Sequence, residues 1–140
     1  MRLSVTLPIV FCVLCNSALS QDVQRQDQLV WDYGEFVQEF SAKNWSRAAR
    51  FVSSETKIGF GGESGQDGLI EVFGNDNVCH RAMLQALESG CRKIGEGDNM
   101  HCVSPPHLGP DVVYLGARAS FKYSEESDRW MLEYLICGGD

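Results

Sequence analysis

The glycine-rich stretch Lys57–Phe73 constrains the fold of this chain more than any other segment. It reads K-I-G-F-G-G-E-S-G-Q-D-G-L-I-E-V-F, with glycine at positions 59, 61, 62, 65 and 68. Alternating Ile58 and Phe60 come first and an apolar run comes last, so the stretch predicts a strand, a tight turn and a helix over about Gly65–Phe73. Ser64 fits the position that caps this helix.

The glycines of this turn have two possible roles. Backbone amides ahead of a helix can bind an anion, but the acidic residues at 63, 67 and 71 surround the loop and no phosphate-binding glycine spacing is present. We therefore interpret the glycines as structural. We expect at least one of Gly61, Gly62 and Gly65 to have a positive φ.

Residues 1–20 have the pattern of a secretory signal peptide. Arg2 precedes an apolar run, Leu7–Leu14, and Ala18-Leu19-Ser20 places small residues for cleavage before Gln21. The run is well short of the roughly 20 residues that span a bilayer. We therefore predict a protein exported to the periplasm or the extracellular space, with no membrane span and one domain over residues 21–140.

The charge of the predicted mature chain limits its partners. The chain of 140 residues has a net charge of −7, and removal of residues 1–20 takes away only Arg2 among the charged residues, which gives −8. Nucleic acids and anionic membranes select basic surfaces. We therefore expect neither as a partner.

Helical periodicity marks the first half of the mature chain. Apolar residues at positions 29, 33, 36, 37 and 40 recur at steps of three and four, and a short second helix carries Trp45. A further helix is predicted over about Val78–Ser89, with Gly90 after its end. Gln21–Gln28 is polar, and we expect it to fray.

Strand patterns occupy the second half. Arg92–Ile94 and Met100–Val103 flank a glycine-containing turn. Three later segments alternate in polarity: Asp111–Leu115, Ala117–Tyr123 and Arg129–Cys137. Helices followed by strands predict an α+β fold, with N-terminal helices packed on a C-terminal antiparallel, strongly curved sheet.

Four patterns together resemble a known fold family. They are F-x-x-x-F at 36–40, N-W-x-x-A at 44–48, G-x-x-G-x-D-G at 62–68 and R-W-M-L-E-Y at 129–134. In this order they are similar to the cone-shaped domains of nuclear-transport-factor-two-like and polyketide-cyclase-like proteins. The ending also resembles small exported bacterial proteins without an assigned activity. The resemblance implies a cone that can enclose a small-molecule pocket; it does not fix a function.

Four cysteines remain after the predicted cleavage, an even number that indicates two disulfides in an exported domain. Cys79-His80 and His101-Cys102 could instead bind zinc. Neighbouring residues on a helix point about 100° apart, so adjacent side chains rarely bind one metal. Thiols in an oxidising compartment also favour disulfides. We expect no metal and no cofactor.

The predicted helix restricts how the cysteines pair. Cys79 and Cys91 bracket it at about 18 Å, whereas a disulfide needs Cα atoms within about 7 Å. Pairing Cys91 with Cys102 closes the predicted hairpin and leaves Cys79 for Cys137. The alternative, Cys79 with Cys102 and Cys91 with Cys137, requires the hairpin to fold back over the helix start. We predict the first arrangement.

No catalytic spacing stands out in the sequence. Ser64 lacks the second glycine of a nucleophile elbow, and we expect the three histidines, at 80, 101 and 107, on the surface or in loops. Glu35 and Glu39 lie one helical turn apart and are interpreted as a solvated face. The default pocket is a face of the later strands. Its candidate residues are Tyr114, Tyr123 and Tyr134, with His101 or Asp67 as a base.

Two functions follow from these features. The first is a non-enzymatic exported binding or interaction domain, for example an inhibitor or immunity-type protein whose acidic surface meets a basic protein partner. The alternative is a small-molecule-binding or enzymatic cone that holds a small apolar ligand. A closed apolar pocket favours the alternative, whereas a filled interior favours the first.

Overall fold

The computed structural model describes residues 13–109 and 112–138. The helices are α1 (Val13–Ser41), α2 (Trp45–Ala48), α3 (Gly65–Leu69) and α4 (Asn77–Glu88). A 3₁₀ turn, Ala49–Phe51, follows α2, and a π-helical turn, Ile70–Gly74, follows α3. The strands are β1 (Val52–Ile58), β2 (Arg92–Ile94), β3 (His101–Ser104), β4 (Arg118–Ser124) and β5 (Arg129–Ile136). The fold is α+β, as predicted.

The five strands form one open sheet in the order β1-β5-β4-β3-β2. The four strands β2 to β5 are antiparallel, but β1 lies parallel to β5. The predicted antiparallel sheet is therefore confirmed for the C-terminal strands, and β1, from the first half of the chain, adds a parallel edge. The alternation of residues in β1 predicts which side chains are buried. It does not predict whether the strand runs parallel or antiparallel to its neighbour, because that neighbour is distant in sequence.

Aromatic side chains fill the space between the helices and the sheet. The ring of Phe36 on α1 lies 5.7 Å from that of Phe51 and 5.4 Å from that of Phe121 on β4. Phe40 contacts Phe73 in the same edge-to-face manner. All five side chains are fully buried. Such pairs add about 0.5–1.5 kcal/mol each beyond the area that they bury, and they occupy the interior of the fold.

The polar start of the predicted mature chain is helical rather than frayed. Arg25 of α1 forms ion pairs with Asp98 and Glu125, at 3.1 and 2.9 Å. The carbonyl oxygen of Arg25 also accepts a hydrogen bond from the indole nitrogen of Trp130 at 2.7 Å. Contacts with distant residues hold this segment, which local helix propensity alone would not.

Part of the predicted signal peptide lies outside the described residues, namely residues 1–12. Helix α1 is continuous across the predicted cleavage point after Ser20. Among the described helices, none combines the length and the apolarity needed to cross a membrane.

The two disulfides join Cys79 to Cys137 and Cys91 to Cys102, with Cα–Cα distances of 5.3 and 5.4 Å. These are the two pairs that the sequence favours. Cys79 lies near the start of α4 and Cys91 lies three residues beyond its end. Helix α4 is therefore attached covalently to the sheet at both of its ends.

The predicted strand Asp111–Leu115 does not form over the described residues 112–115, and Asp111 lies outside them. Val113 and Leu115 are 91% and 60% exposed. The alternation of apolar and polar residues here does not correspond to pairing with a neighbouring strand. The described residues here instead belong to a loop between β3 and β4, in which the amide of Val112 donates a hydrogen bond to the carbonyl of Gly109.

Candidate functional site

Side chains alternate between the two faces of the sheet. Phe121 points towards α1, whose Phe36 it contacts, and Ser104 donates a hydrogen bond to the carbonyl of Ala86 on α4. The neighbouring positions, including Val103 and Ser120, therefore point away from the helices. We call that side the outer face.

A β-bulge in β5 changes which side chains reach the outer face. The register passes from Ser120 opposite Tyr134 to Phe121 opposite Leu132, so β5 has one extra residue. Leu132 and Leu135 are buried towards the helices. Glu133 and Tyr134, although adjacent in sequence, therefore both belong to the outer face. Re-aiming a side chain is a common role of bulges beside binding sites.

A cleft of about 330 Å³ lies on the outer face, between the strands and the loop that joins β3 to β4. We call it the outer cleft. Its apolar lining includes Ile94, Val103, Leu108 and Val112. Its polar lining consists of His101, Tyr114, Arg118, Ser120, Glu133 and Tyr134. Apolar walls with a few convergent polar groups are typical of small-ligand sites.

Glu133 is the centre of the polar groups. Its Oε2 lies 3.1 Å from Nδ1 of His101 and accepts a hydrogen bond from Oγ of Ser120 at 3.0 Å. An ionised carboxylate only accepts hydrogen bonds, so Nδ1 of His101 carries the proton. Nε2 of a neutral His101 is then a hydrogen-bond acceptor. A histidine oriented in this way can bind a donor or take a proton.

Tyr134 and Arg118 lie next to this pair. Burial raises the pKa of the Tyr134 hydroxyl, and the charge of Glu133 raises it further, whereas the charge of Arg118 opposes the rise. The guanidinium of Arg118 donates to the carbonyl of Gly116 at 3.0 Å and lies over the ring of Phe60 at 5.1 Å. The charges of Arg118 and Glu133 therefore shift the pKa of Tyr134 in opposite directions.

The structure brings together three of the five residues predicted for a pocket. His101, Tyr114 and Tyr134 all line the outer cleft. Tyr123 lies elsewhere, where it donates a hydrogen bond to Asp128, and Asp67 is exposed on α3. The tyrosines do not surround an interior cavity, because the cleft is on the side of the sheet that the helices leave uncovered.

Sequence reasoning missed Glu133, Arg118 and Ser120. The alternation of β4 would have placed Arg118 and Ser120 on one face. For Glu133, the same alternation in β5 would have excluded its neighbour Tyr134, because the bulge is not visible in the residue pattern.

Two other interpretations of polar residues are corrected by the structure. Glu39 does not belong to a solvated face: it is buried and binds Arg47 at 3.2 Å and Asn44 at 2.9 Å, which closes the corner between α1 and α2. His80 is buried rather than on the surface. Its Nε2 lies 2.8 Å from the carbonyl oxygen of Phe40, so it joins α4 to α1.

The glycine turn has the positive φ values expected from the sequence. Gly62 and Gly65 have φ values of +95° and +66°. The carboxylate of Glu63 folds back over the loop, so a Cβ at Gly61 would lie 2.5 Å from one of its oxygens. Within the described ranges, no three histidine, cysteine or acidic side chains are grouped as a metal site requires.

Comparisons with known proteins add little to this geometry. No protein-family model and no curated protein matches the chain. Among solved structures, it is similar to an NTF2-like protein with a cystatin-like fold from Novosphingobium aromaticivorans, at 15% identity and a TM-score of 0.47 over 94% of this chain and 90% of that one. It is also similar to a protein of unknown function with a cystatin-like fold from Nostoc punctiforme, at 14% identity and a TM-score of 0.42 over 89% and 90% of the two chains. The first of these two structures is described as NTF2-like, which is the fold family that the sequence patterns resemble. Similarity at this level says nothing about a ligand or an activity.

Proposed function

We propose that this protein is an exported binding domain that holds a small ligand in the outer cleft. The observation that carries the proposal is the convergence of His101, Ser120 and Tyr134 around Glu133, beside apolar walls, on the outer face of the sheet. The interior, by contrast, is filled by aromatic side chains.

Export is supported by two features. Residues 1–20 have the signal-peptide pattern, and all four later cysteines are paired in disulfides. Amino-terminal sequencing of the exported protein should find Gln21 first. Retention in the cytoplasm with an intact amino terminus and free thiols would contradict export, without affecting the cleft.

A screen of small molecules by thermal shift tests the binding function. The matched variants are Val103→Trp, which fills the outer cleft, and Val78→Trp, which places the same ring on an exposed position of α4. A ligand of the cleft should raise the Tm of the wild type and of Val78→Trp but not that of Val103→Trp. A shift that survives in Val103→Trp, or a library without any stabilising compound, would contradict the proposal.

One observation favours a second function, acid–base catalysis. The carboxylate of Glu133 orients His101 so that its Nε2 can take a proton from a bound molecule. If the protein is such an enzyme, His101→Gln should retain ligand binding and lower turnover of the bound compound about a hundredfold or more. Equal turnover by the variant and the wild type would leave binding as the function.

A further inference from the structure

The outer face carries an unusual share of positive charge for an acidic protein. Arg118 lines the outer cleft, Lys122 pairs with His101 in the sheet, Lys57 pairs with Tyr134, and Arg92 pairs with Val103. Residues opposite each other in a sheet share a face. These four cations therefore surround the cleft, in a chain whose net charge is −7.

Ion pairs with carboxylates engage some cations of the described surface and not others. Within the described ranges Lys43, Arg81 and Lys93 have none, whereas Arg25, Arg47, Arg50 and Arg129 all form them. In the part of the chain that the structure describes, none of the four outer-face cations does so. The guanidinium of Arg118 uses one nitrogen on the carbonyl of Gly116, which leaves its other donors for a ligand.

The negative charge of the cleft is, in contrast, already engaged. Oε2 of Glu133 accepts hydrogen bonds from Nδ1 of His101 and from the hydroxyl of Ser120. Hydrogen bonds to a carboxylate stabilise its charge and weaken its demand for a further cation. Arg118 is therefore the cation that lines the cleft with donors available to a ligand.

We infer that the outer cleft binds a small organic anion, with the anionic group on Arg118 and an apolar or aromatic body against Val103, Leu108 and Tyr114. The inference rests on the proposed binding function and adds the chemical class of the ligand. A planar guanidinium matches a carboxylate with two parallel hydrogen bonds. The apolar walls contribute by removing the ligand's body from water.

The test uses three matched probes of one shape: 2-naphthoate, its neutral amide and the corresponding naphthylmethylammonium. Their binding to the disulfide-linked protein is measured by titration calorimetry. We expect naphthoate to bind most tightly. NMR should show a shift of the His101 ring on binding, whereas the ring of His80, which is buried between α4 and α1 and does not line this cleft, should not move.

Two charge variants give results of opposite sign. Arg118→Gln should raise the Kd for naphthoate about tenfold or more, which is about 1.4 kcal/mol. Glu133→Gln should lower it, because it removes a repulsive charge. Arg81→Gln removes an equal charge from an exposed position on α4 and should leave the Kd unchanged.

The outcomes separate the two proposals. Tightest binding of the ammonium probe, with loss of its binding in Glu133→Gln, would overturn the anion inference and leave the binding cleft in place. Tightest binding of the amide, with no effect of Arg118→Gln, would do the same. Binding of none of the three probes would overturn the anion inference alone, since the compound screen decides on the cleft. Binding without a shift at His101 would overturn the inference together with the cleft.

Discussion

Asp32 on α1 accepts a hydrogen bond from the backbone amide of Trp130 on β5, with 2.8 Å between Oδ2 and the amide nitrogen. The carboxylate is 3% exposed. It also binds Gln28 at 3.1 Å and lies 3.5 Å from a guanidinium nitrogen of Arg129. One side chain therefore joins the long helix to the sheet and satisfies the buried amide of Trp130.

Replacing Asp32 should weaken the attachment of α1 to the sheet. Asp32→Ala leaves the buried amide of Trp130 without a partner and Arg129 without its buried counter-ion, so we expect a loss of about 3 kcal/mol in the free energy of unfolding. Urea denaturation measures it. Asp27→Ala, an exposed acidic position on the same helix, is the control and should change stability by less than about 0.5 kcal/mol. Equal losses for both variants would contradict the role of Asp32.

The two disulfides should differ in their contribution to stability. The Cys79–Cys137 bond closes a separation of 58 residues and the Cys91–Cys102 bond one of 11. In the chain-entropy model, the longer loop gives about 4 kcal/mol and the shorter about 3 kcal/mol. Paired Cys→Ser variants, compared by urea denaturation, check the order. A larger loss for the short loop would show that native contacts, rather than loop length, decide.

Two glycines should respond to alanine with opposite signs. Gly65 has a φ of +66°, so Gly65→Ala should cost about 1–2 kcal/mol. Gly34 lies within α1, where a Cβ would meet nothing within 4 Å, and Gly34→Ala should stabilise by about 0.5–1 kcal/mol. Thermal unfolding of both variants provides the measurement. A stabilising Gly65→Ala would contradict the positive φ.

The phenol of Tyr123 should ionise at an unusually high pH. Its hydrogen bond to Asp128, together with burial, raises its pKa from 10.0 to about 12. The unfolded chain loses this proton first as the pH rises, so the contribution to stability is complete below pH 10 and is lost between about pH 10 and 12. Absorbance titration of tyrosinate should show that Asp128→Asn lowers this pKa, with Glu126→Gln as a control in the same turn. An unchanged titration in Asp128→Asn would contradict the assignment.

Local patterns were sufficient for much of the fold. The periodicity before Gly90 predicted α4, and its length excluded a Cys79–Cys91 bond, which left the observed pairs as the simpler arrangement. The glycine stretch gave the strand, turn and helix in the right order. In each case neighbours in sequence determine the structure, so the signal is present in the residues themselves.

The rest depended on partners distant in sequence. The parallel pairing of β1 with β5, the helical conformation of Gln21–Gln28 and the bulge at Glu133 are all set by contacts across the fold. Predicting the candidate site would have required both the bulge in β5 and the knowledge of which sheet face the helices leave uncovered. Three of its residues were predicted from their chemistry, but the carboxylate that organises them was not.

The positions of the cysteines have a consequence for the order of unfolding. Residues 16–78 contain no cysteine, whereas α4, β3 and the end of β5 are joined through Cys79–Cys137 and Cys91–Cys102. Denaturant in the absence of reductant can therefore release the long amino-terminal helix while the carboxy-terminal half keeps its topology. Amide exchange should be fastest in the first half of the chain, and a partly opened molecule would expose the aromatic interior while the outer cleft stays assembled.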